Sequence, residues 1–281
     1  MWREMMSLTE AYQHCESIIK EHSKTFYKAF MLLPQEKKNA VWAVYAFCRK
    51  VDDIVDEGLN PQEELAYFKE QFDYFLTGFL PSENPMWLAL RDVFQKYEMD
   101  EKAFWDMIKG QEMDLTKKTY YSEEEVLFYS YHVASTVGLM LLPILAPDNK
   151  DKLREGAIAL GKAMQLTNIL RDIGEDLERE RVYIPINLLR SVGYSEELLK
   201  HRVVNSCFVQ AWESLAQLAE SYYEQALETI DLYPVHSRTP VKGAAYLYRA
   251  ILTSIRKKGY TVFHTKHYVS SEEKQQIISQ M

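Results

Sequence analysis

Two stretches, Tyr45-Ala-Phe-Cys-Arg49-Lys-Val-Asp52-Asp53-Ile-Val-Asp56 and Gln165-Leu-Thr-Asn168-Ile-Leu-Arg171-Asp172-Ile-Gly-Glu175-Asp176, share one design. In the first, positions 45, 49, 52 and 56 are spaced 4, 3 and 4 apart, which puts them on one helix face. In the second, positions 165, 168, 172 and 176 do the same with spacings of 3, 4 and 4. That periodicity normally carries core residues, but here it carries ionisable or oxygen-bearing ones. Asp52 and Asp56 stand one turn apart, and like charges at that separation repel unless a cation lies between them. Apolar Leu166, Ile169, Leu170 and Ile173 flank the second stripe, so a purely solvated face is a poor reading. Asp and Asn oxygens at i, i+4 suit Mg²⁺, which completes its octahedron with waters and phosphate oxygens. Arg49 and Arg171 can take further phosphate charge through bidentate contacts. Together the two helices describe a magnesium–diphosphate site.

The rest of the chain agrees with helices. It has 281 residues with 10 Gly and 9 Pro, well below average usage of about 7% and about 5%, so turns are few. Capping boxes at Ser7/Glu10 and Ser122/Glu125, and Pro34 and Pro61 ahead of Glu-rich turns, mark helix starts. The pattern predicts helices over 7–31, 35–57, 62–78, 85–97, 101–116, 123–145, 149–178, 196–203, 206–232 and 239–258. Short extended pieces are expected near Tyr183 and over Tyr260 to Phe263. No linker or repeat interrupts this, so one all-α domain over 1–281 is the economical reading. With 41 acidic and 33 basic side chains, net −8, nucleic acid is excluded as the main partner. Three cysteines without a Cys-x-x-Cys pair point to a reducing, cytoplasmic setting. No signal peptide opens the chain. The longest apolar run, Val137 to Ala146, contains Pro143 and is too short to span a bilayer.

Other chemistries are set aside. Gly156 to Lys162 mimics a phosphate-binding loop, but Ala163 stands where Ser or Thr is needed, and the pattern around it is helical. The run Glu178-Arg-Glu-Arg181 reads as a surface strip, and His264 with His267 as a surface pair.

Further segments bring a known family into view. They are His22-Ser-Lys-Thr-Phe26, Gly110-Gln-Glu-Met-Asp114, Tyr131-His-Val-Ala134 with Gly138, Tyr246-Leu-Tyr248-Arg and Gly259-Tyr-Thr-Val-Phe263. With the two acidic segments, in this order, the chain resembles the squalene/phytoene synthases over nearly its whole length. Within them it most resembles dehydrosqualene (4,4'-diapophytoene) synthases around Trp42 to Tyr45. The resemblance implies an all-α isoprenoid-synthase bundle around a deep apolar cavity. It implies several Mg²⁺ ions, bound with substrate diphosphate through Asp52, Asp56, Asn168, Asp172 and Asp176. His22, Ser23, Lys24, Thr25, Tyr45, Arg49, Gln165, Arg171 and Tyr248 are then the prenyl diphosphate contacts. Asp114 is either simply buried and paired or, as the resemblance implies, placed beside an arginine. Where the family carries paired arginines after its Gly-Tyr-x-Val-Phe element, this chain has Thr265-Lys266, which leaves one point charge.

The implied reaction is a head-to-head (1'-1) condensation of two farnesyl diphosphates through presqualene diphosphate to dehydrosqualene, the first committed step of carotenoid biosynthesis. Ionisation of an allylic diphosphate leaves a carbocation that must be kept from water. Phe26, Phe30, Trp42 and Tyr45 are candidate walls, whereas Phe47 reads as ordinary core. Either the departing diphosphate or Tyr129 is the final proton acceptor. No NADPH is expected, and any membrane contact is limited to product release. The alternatives are a phytoene synthase acting on geranylgeranyl diphosphate, a squalene synthase with NADPH, and a catalytically inactive prenyl-lipid-binding helical protein. Phe30→Ala or Trp42→Ala is expected to admit longer chains if both rings form the pocket floor.

Overall fold

The first helix starts from reciprocal capping. The Ser7 hydroxyl accepts the Glu10 N–H at 3.2 Å, and the Ser7 N–H donates to Glu10 Oε2 at 2.7 Å. α1 (Leu8–His22) then stops at Ser23, whose backbone (φ −144°, ψ 79°) leaves the helical region. α2 (Lys24–Phe30) restarts at once, so the helix expected over 7–31 is two helices with a joint inside the His-Ser-Lys-Thr-Phe element. The computed structural model describes residues 6–279.

α3 (Gln35–Glu57), α4 (Pro61–Leu76) and α5 (Pro85–Lys96) each begin beside a proline, where the missing N–H costs nothing. α6 (Glu101–Thr116) is capped by Asp100, and α7 (Glu123–Ser130) by Ser122. The run from Glu123 continues through a π turn, Tyr131–Ser135, into α8 (Thr136–Leu145). A short 3₁₀ turn leads to α9 (Lys150–Arg171). The backbone then breaks at Asp172 (φ −103°, ψ 15°) before α10 (Ile173–Glu178), so the helix expected over 149–178 is divided inside its acidic motif. α11 (Ile186–Ser191) and α12 (Glu196–Lys200) are short. α13 (Ser206–Glu228) and α14 (Val235–Lys257) are long, and α15 (Ser271–Ser279) closes the described chain. α11 and α15 lie outside the expected helices, being too brief to show a clear period. Neither expected extended piece becomes a strand among the described residues, where the only β pairing is an isolated bridge between Thr119 and Val182.

The run Glu123–Leu145 is long and apolar enough, by length and composition, to cross a membrane, but 61% of its apolar window is buried inside the protein. Its π turn is stitched by side chains. Ser130 Oγ donates to the Val126 carbonyl at 2.8 Å, Thr136 Oγ1 to that of His132 at 2.7 Å, and Ser135 Oγ to that of Ile158 at 2.7 Å.

α9 lies against this turn at very short range. A Cβ on Gly161 would stand 2.5 Å from the Ser135 nitrogen, so only hydrogen fits. The apparent phosphate-loop glycine is thus a packing glycine inside a helix, as its surroundings predict. Two apolar clusters result, one around α1, α3, α5, α6 and α8, the other around α9, α13 and α14. Phe26 and Leu160 pack against both. The cavity lies along this seam. Gly161→Ala should force backbone movement there, lowering stability by about 1–3 kcal/mol or more, read as a fall in Tm.

Candidate active site

The seam encloses a cavity of about 220 Å³. α3 supplies Val41, Val44, Tyr45 and Cys48, α9 supplies Ala157 to Asn168, and α14 supplies Val241, Ala244 and Tyr248. Each contributes apolar residues at one end and polar ones toward the other. Gln165, Asn168, Tyr45 and Tyr248 form the polar end. Leu145, Tyr233, Val41 and Val241, all buried, close the far end. Phe26 and Phe30 line the wall as a stacked pair with centroids 5.8 Å apart, and Phe26 also meets the Tyr248 ring at 5.3 Å.

Trp42 does not line it. The helix turns that side chain away, into full burial against Tyr27 at 5.4 Å between centroids, which corrects the expectation that it floors the pocket. Phe47 is core, packed on Phe68, Phe72, Trp87 and Phe104.

Beyond the polar end lie the carboxylates. Arg49 Nη1 donates to Asp52 at 3.0 Å and pairs with Asp53. Arg171 grips Asp172 with both arms, Nε at 2.8 Å. Asp56 crosses to the second acidic segment, pairing with Arg179 and accepting from Arg181 Nη1 at 2.8 Å. Lys266 Nζ lies 2.7 Å from Glu175 and 3.6 Å from Asp172. The two acidic helices therefore face one another, joined by arginines.

The pairing is incomplete. Burial, followed by repulsion from Asp56, pushes the Asp52 carboxyl up to about 6, and burial with Asp172 and Glu175 pushes Asp176 up to about 8. Asn168 Oδ1, Arg49 Nε and Arg181 Nε are buried without hydrogen-bond partners. A cation among the oxygens and an anion on the guanidinium groups would satisfy both defects, so the residues fit Mg²⁺ with a diphosphate. Among the described residues no three His, Cys, Asp or Glu side chains converge to hold an ion unaided. An ion there needs ligand oxygens, as hard Mg²⁺ sites commonly do.

Asp114 is buried behind this array. It accepts from the Tyr129 and Tyr183 hydroxyls, each at 2.7 Å, rather than from the arginine expected beside it. Arg181 acts on it only through its charge. Tyr129 is spent as that donor, is held protonated by burial and is absent from the cavity wall. Of the diphosphate contacts expected from the sequence, His22 and Lys24 are exposed at the α1–α2 joint, with Ser23 at the joint and Thr25 just after it.

Sequence reasoning missed Arg179, Arg181 and Tyr183. Arg181 is buried, not part of a surface strip, because Glu180 adopts a left-handed backbone (φ 58°) that folds the chain back after α10. A non-glycine residue in that conformation leaves no sequence signature. The only available signal was an Arg-x-Arg directly following an acidic motif. His267 is likewise fully buried, with Thr261 Oγ1 at 3.3 Å from Nε2, and not a surface residue.

A family model described as squalene/phytoene synthase matches residues 19–273. The chain belongs to the squalene/phytoene synthase family. It is 36% identical to the 15-cis-phytoene synthase of Synechococcus elongatus, over 97% of this chain and 92% of that one. It is 35% identical to the 4,4'-diapophytoene synthase of Staphylococcus haemolyticus, over 97% and 96%. A crystal structure of a dehydrosqualene synthase with ligand superposes with a TM-score of 0.92 at 39% identity, covering 97% of this chain and 95% of that one. Family members are prenyltransferases that use prenyl diphosphates in isoprenoid and carotenoid biosynthesis.

The raised Asp176 carboxyl has a consequence for this synthase-family chain without metal. The folded state binds that proton more tightly than the unfolded chain, so unfolding releases it between roughly pH 4 and 8. This carboxyl's contribution to stability is therefore fully present below that window and is lost as pH rises through it. Thermal denaturation in EDTA should show that loss, and Asp176→Asn should flatten it.

Proposed function

We propose that this protein condenses two farnesyl diphosphates head to head, through presqualene diphosphate, to dehydrosqualene, with Mg²⁺ and without NADPH. The observation that carries the reading is an apolar cavity whose one polar end meets two facing carboxylate segments. The tail of a prenyl diphosphate fills the first, and its charged head meets the second. We read the far end, lined by Tyr233 and Leu145, as the stop for a fifteen-carbon tail.

When bound, Mg²⁺ would offset diphosphate charge as the leaving group departs. Asp52, Asp56, Asn168, Asp172 and Asp176 are the residues that would hold it. Arg49 and Arg171 orient the diphosphate with planar donor forks. Arg181 and Lys266 add positive charge on the second acidic side. Within the cavity, Phe26, Phe30 and Tyr45 line the wall and would exclude water from the allylic cation. The departing diphosphate is the favoured proton acceptor, because Tyr129 already donates its hydroxyl to Asp114. The same features serve a phytoene synthase, and that reading rests on the equally near identity of its relatives.

Product identification by mass spectrometry, with Mg²⁺ and each diphosphate separately, distinguishes them. Dehydrosqualene from farnesyl diphosphate supports the proposal. Phytoene formed only from geranylgeranyl diphosphate overturns the chain length, and farnesol alone overturns the condensation. Asp52→Asn with Asp172→Asn should lower turnover by about a thousandfold or more while far-ultraviolet circular dichroism stays unchanged. Phe30→Ala should raise turnover of the longer substrate. Trp42→Ala should instead cost about 3–5 kcal/mol of stability without changing chain-length preference, measurable by denaturation and competition assay.

A further inference from the structure

Two guanidinium groups share one carboxylate at the edge of the site. Asp56, on the last turn of α3, pairs through Oδ2 with Arg179 Nη1 and accepts at Oδ1 from Arg181 Nη1 at 2.8 Å. Glu180 stands between the two arginines, and its left-handed backbone (φ 58°) lets both reach the same acid. Both oxygens of a residue expected to hold metal are thus covered by positive charge. The neighbouring oxygens are not. Among the described residues Asp52 pairs only with Arg49 of its own helix, and Asn168 Oδ1 has no partner. A divalent cation on Asp56 would stand beside two guanidinium groups, and the repulsion is relieved when one of them leaves.

The two arginines are not equally free to go. The Arg181 side chain is 10% exposed, its N–H donates to the Asp176 carbonyl at 2.8 Å, and the N–H of the next residue, Val182, donates to the Lys118 carbonyl at 2.8 Å. Arg179 is 44% exposed, and its Nη2 already lies 4.0 Å from Glu175 Oε1, one helical turn back. Lys266 holds the other oxygen of Glu175, at 2.7 Å, so Oε1 is the seat that faces Arg179. An exposed side chain changes rotamer within nanoseconds, so Arg179 can exchange Asp56 for Glu175 without backbone movement.

We propose that Arg179 is a tethered cation that covers Asp56 in the empty site, gives it up for Glu175 on loading, and so sets the magnesium concentration the site requires. Arg181 stays and keeps Asp56 in place. The inference rests on the proposed magnesium–diphosphate site and adds to it a residue outside the set of ligands.

Thermal denaturation of the full chain with a fixed concentration of inorganic pyrophosphate, over a series of Mg²⁺ concentrations, tests this, because a ligand of the folded state raises Tm. Arg179→Gln should lower the Mg²⁺ concentration at half-maximal rise by about two- to fivefold, the range that an exposed ion pair is worth. Arg179→Lys keeps the charge and should stay near the parent. Both variants should retain the parent's far-ultraviolet circular dichroism in EDTA. A higher Mg²⁺ requirement in Arg179→Gln overturns the inference, because the guanidinium then serves the diphosphate. An unchanged midpoint overturns it too, leaving an ordinary surface pair, as does an equal gain in Arg179→Lys. If Mg²⁺ and pyrophosphate fail to raise the Tm of the parent, the magnesium–diphosphate site itself is refuted, and the inference falls with it.

Discussion

Carboxylates gathered at the end of an apolar cavity repel one another, and burial makes that repulsion more costly than it is in water. Asp52, Asp56, Asp172 and Asp176 cannot all be ionised and unpaired in such a place. The protein meets this constraint with its own cations. Arg49, Arg171, Arg179, Arg181 and Lys266 are drawn from three separate regions of the chain, and each closes on at least one of these acids or on Asp53 or Glu175. Much of the surrounding architecture serves that arrangement. α10 is offset from α9 by the break at Asp172, and the left-handed turn at Glu180 returns Arg181 to Asp56. Gly174 lets the segment carrying Lys266 pass close overhead, since a Cβ there would lie 2.7 Å from the Phe263 carbonyl carbon.

A site so nearly neutralised accepts its ligand by exchange. A magnesium diphosphate brings positive charge for the carboxylates and negative charge for the guanidinium groups, so each internal pair can be traded for an external one. The acids whose carboxyls stand highest, Asp52 and Asp176, are those for which the internal pairing is least complete. The net charge of −8 therefore says little about the working site, where cations and anions are closely matched.

The local chemistry was legible in the sequence because it obeys helical period. The stripes of α3 and α9, the caps at Ser7 and Ser122, and the proline starts are all rules about residues three or four apart. What was hidden depends on long-range placement or on rare backbone states. The periodic pattern runs straight through Ser23 and Asp172, where the chain leaves the helix. Trp42 has the bulk for a pocket floor, but its place on α3 points it into the core, and nothing local reports which apolar face meets which. Arg181 looked solvated because its partner, Asp56, stands 125 residues away. His267 looked like half of a surface pair because its burial is made by the segment after α14 folding back.

The seam between the two apolar clusters leaves about 220 Å³ unfilled. Its walls are mostly apolar side chains, whose contact with water disfavours leaving them uncovered. A tail of matching shape covers those walls on arrival, gaining about 25 cal/mol for each Å² of apolar surface taken from water. The fold thus holds, in its own imperfect packing, a reserve that only a hydrocarbon of the right length can release.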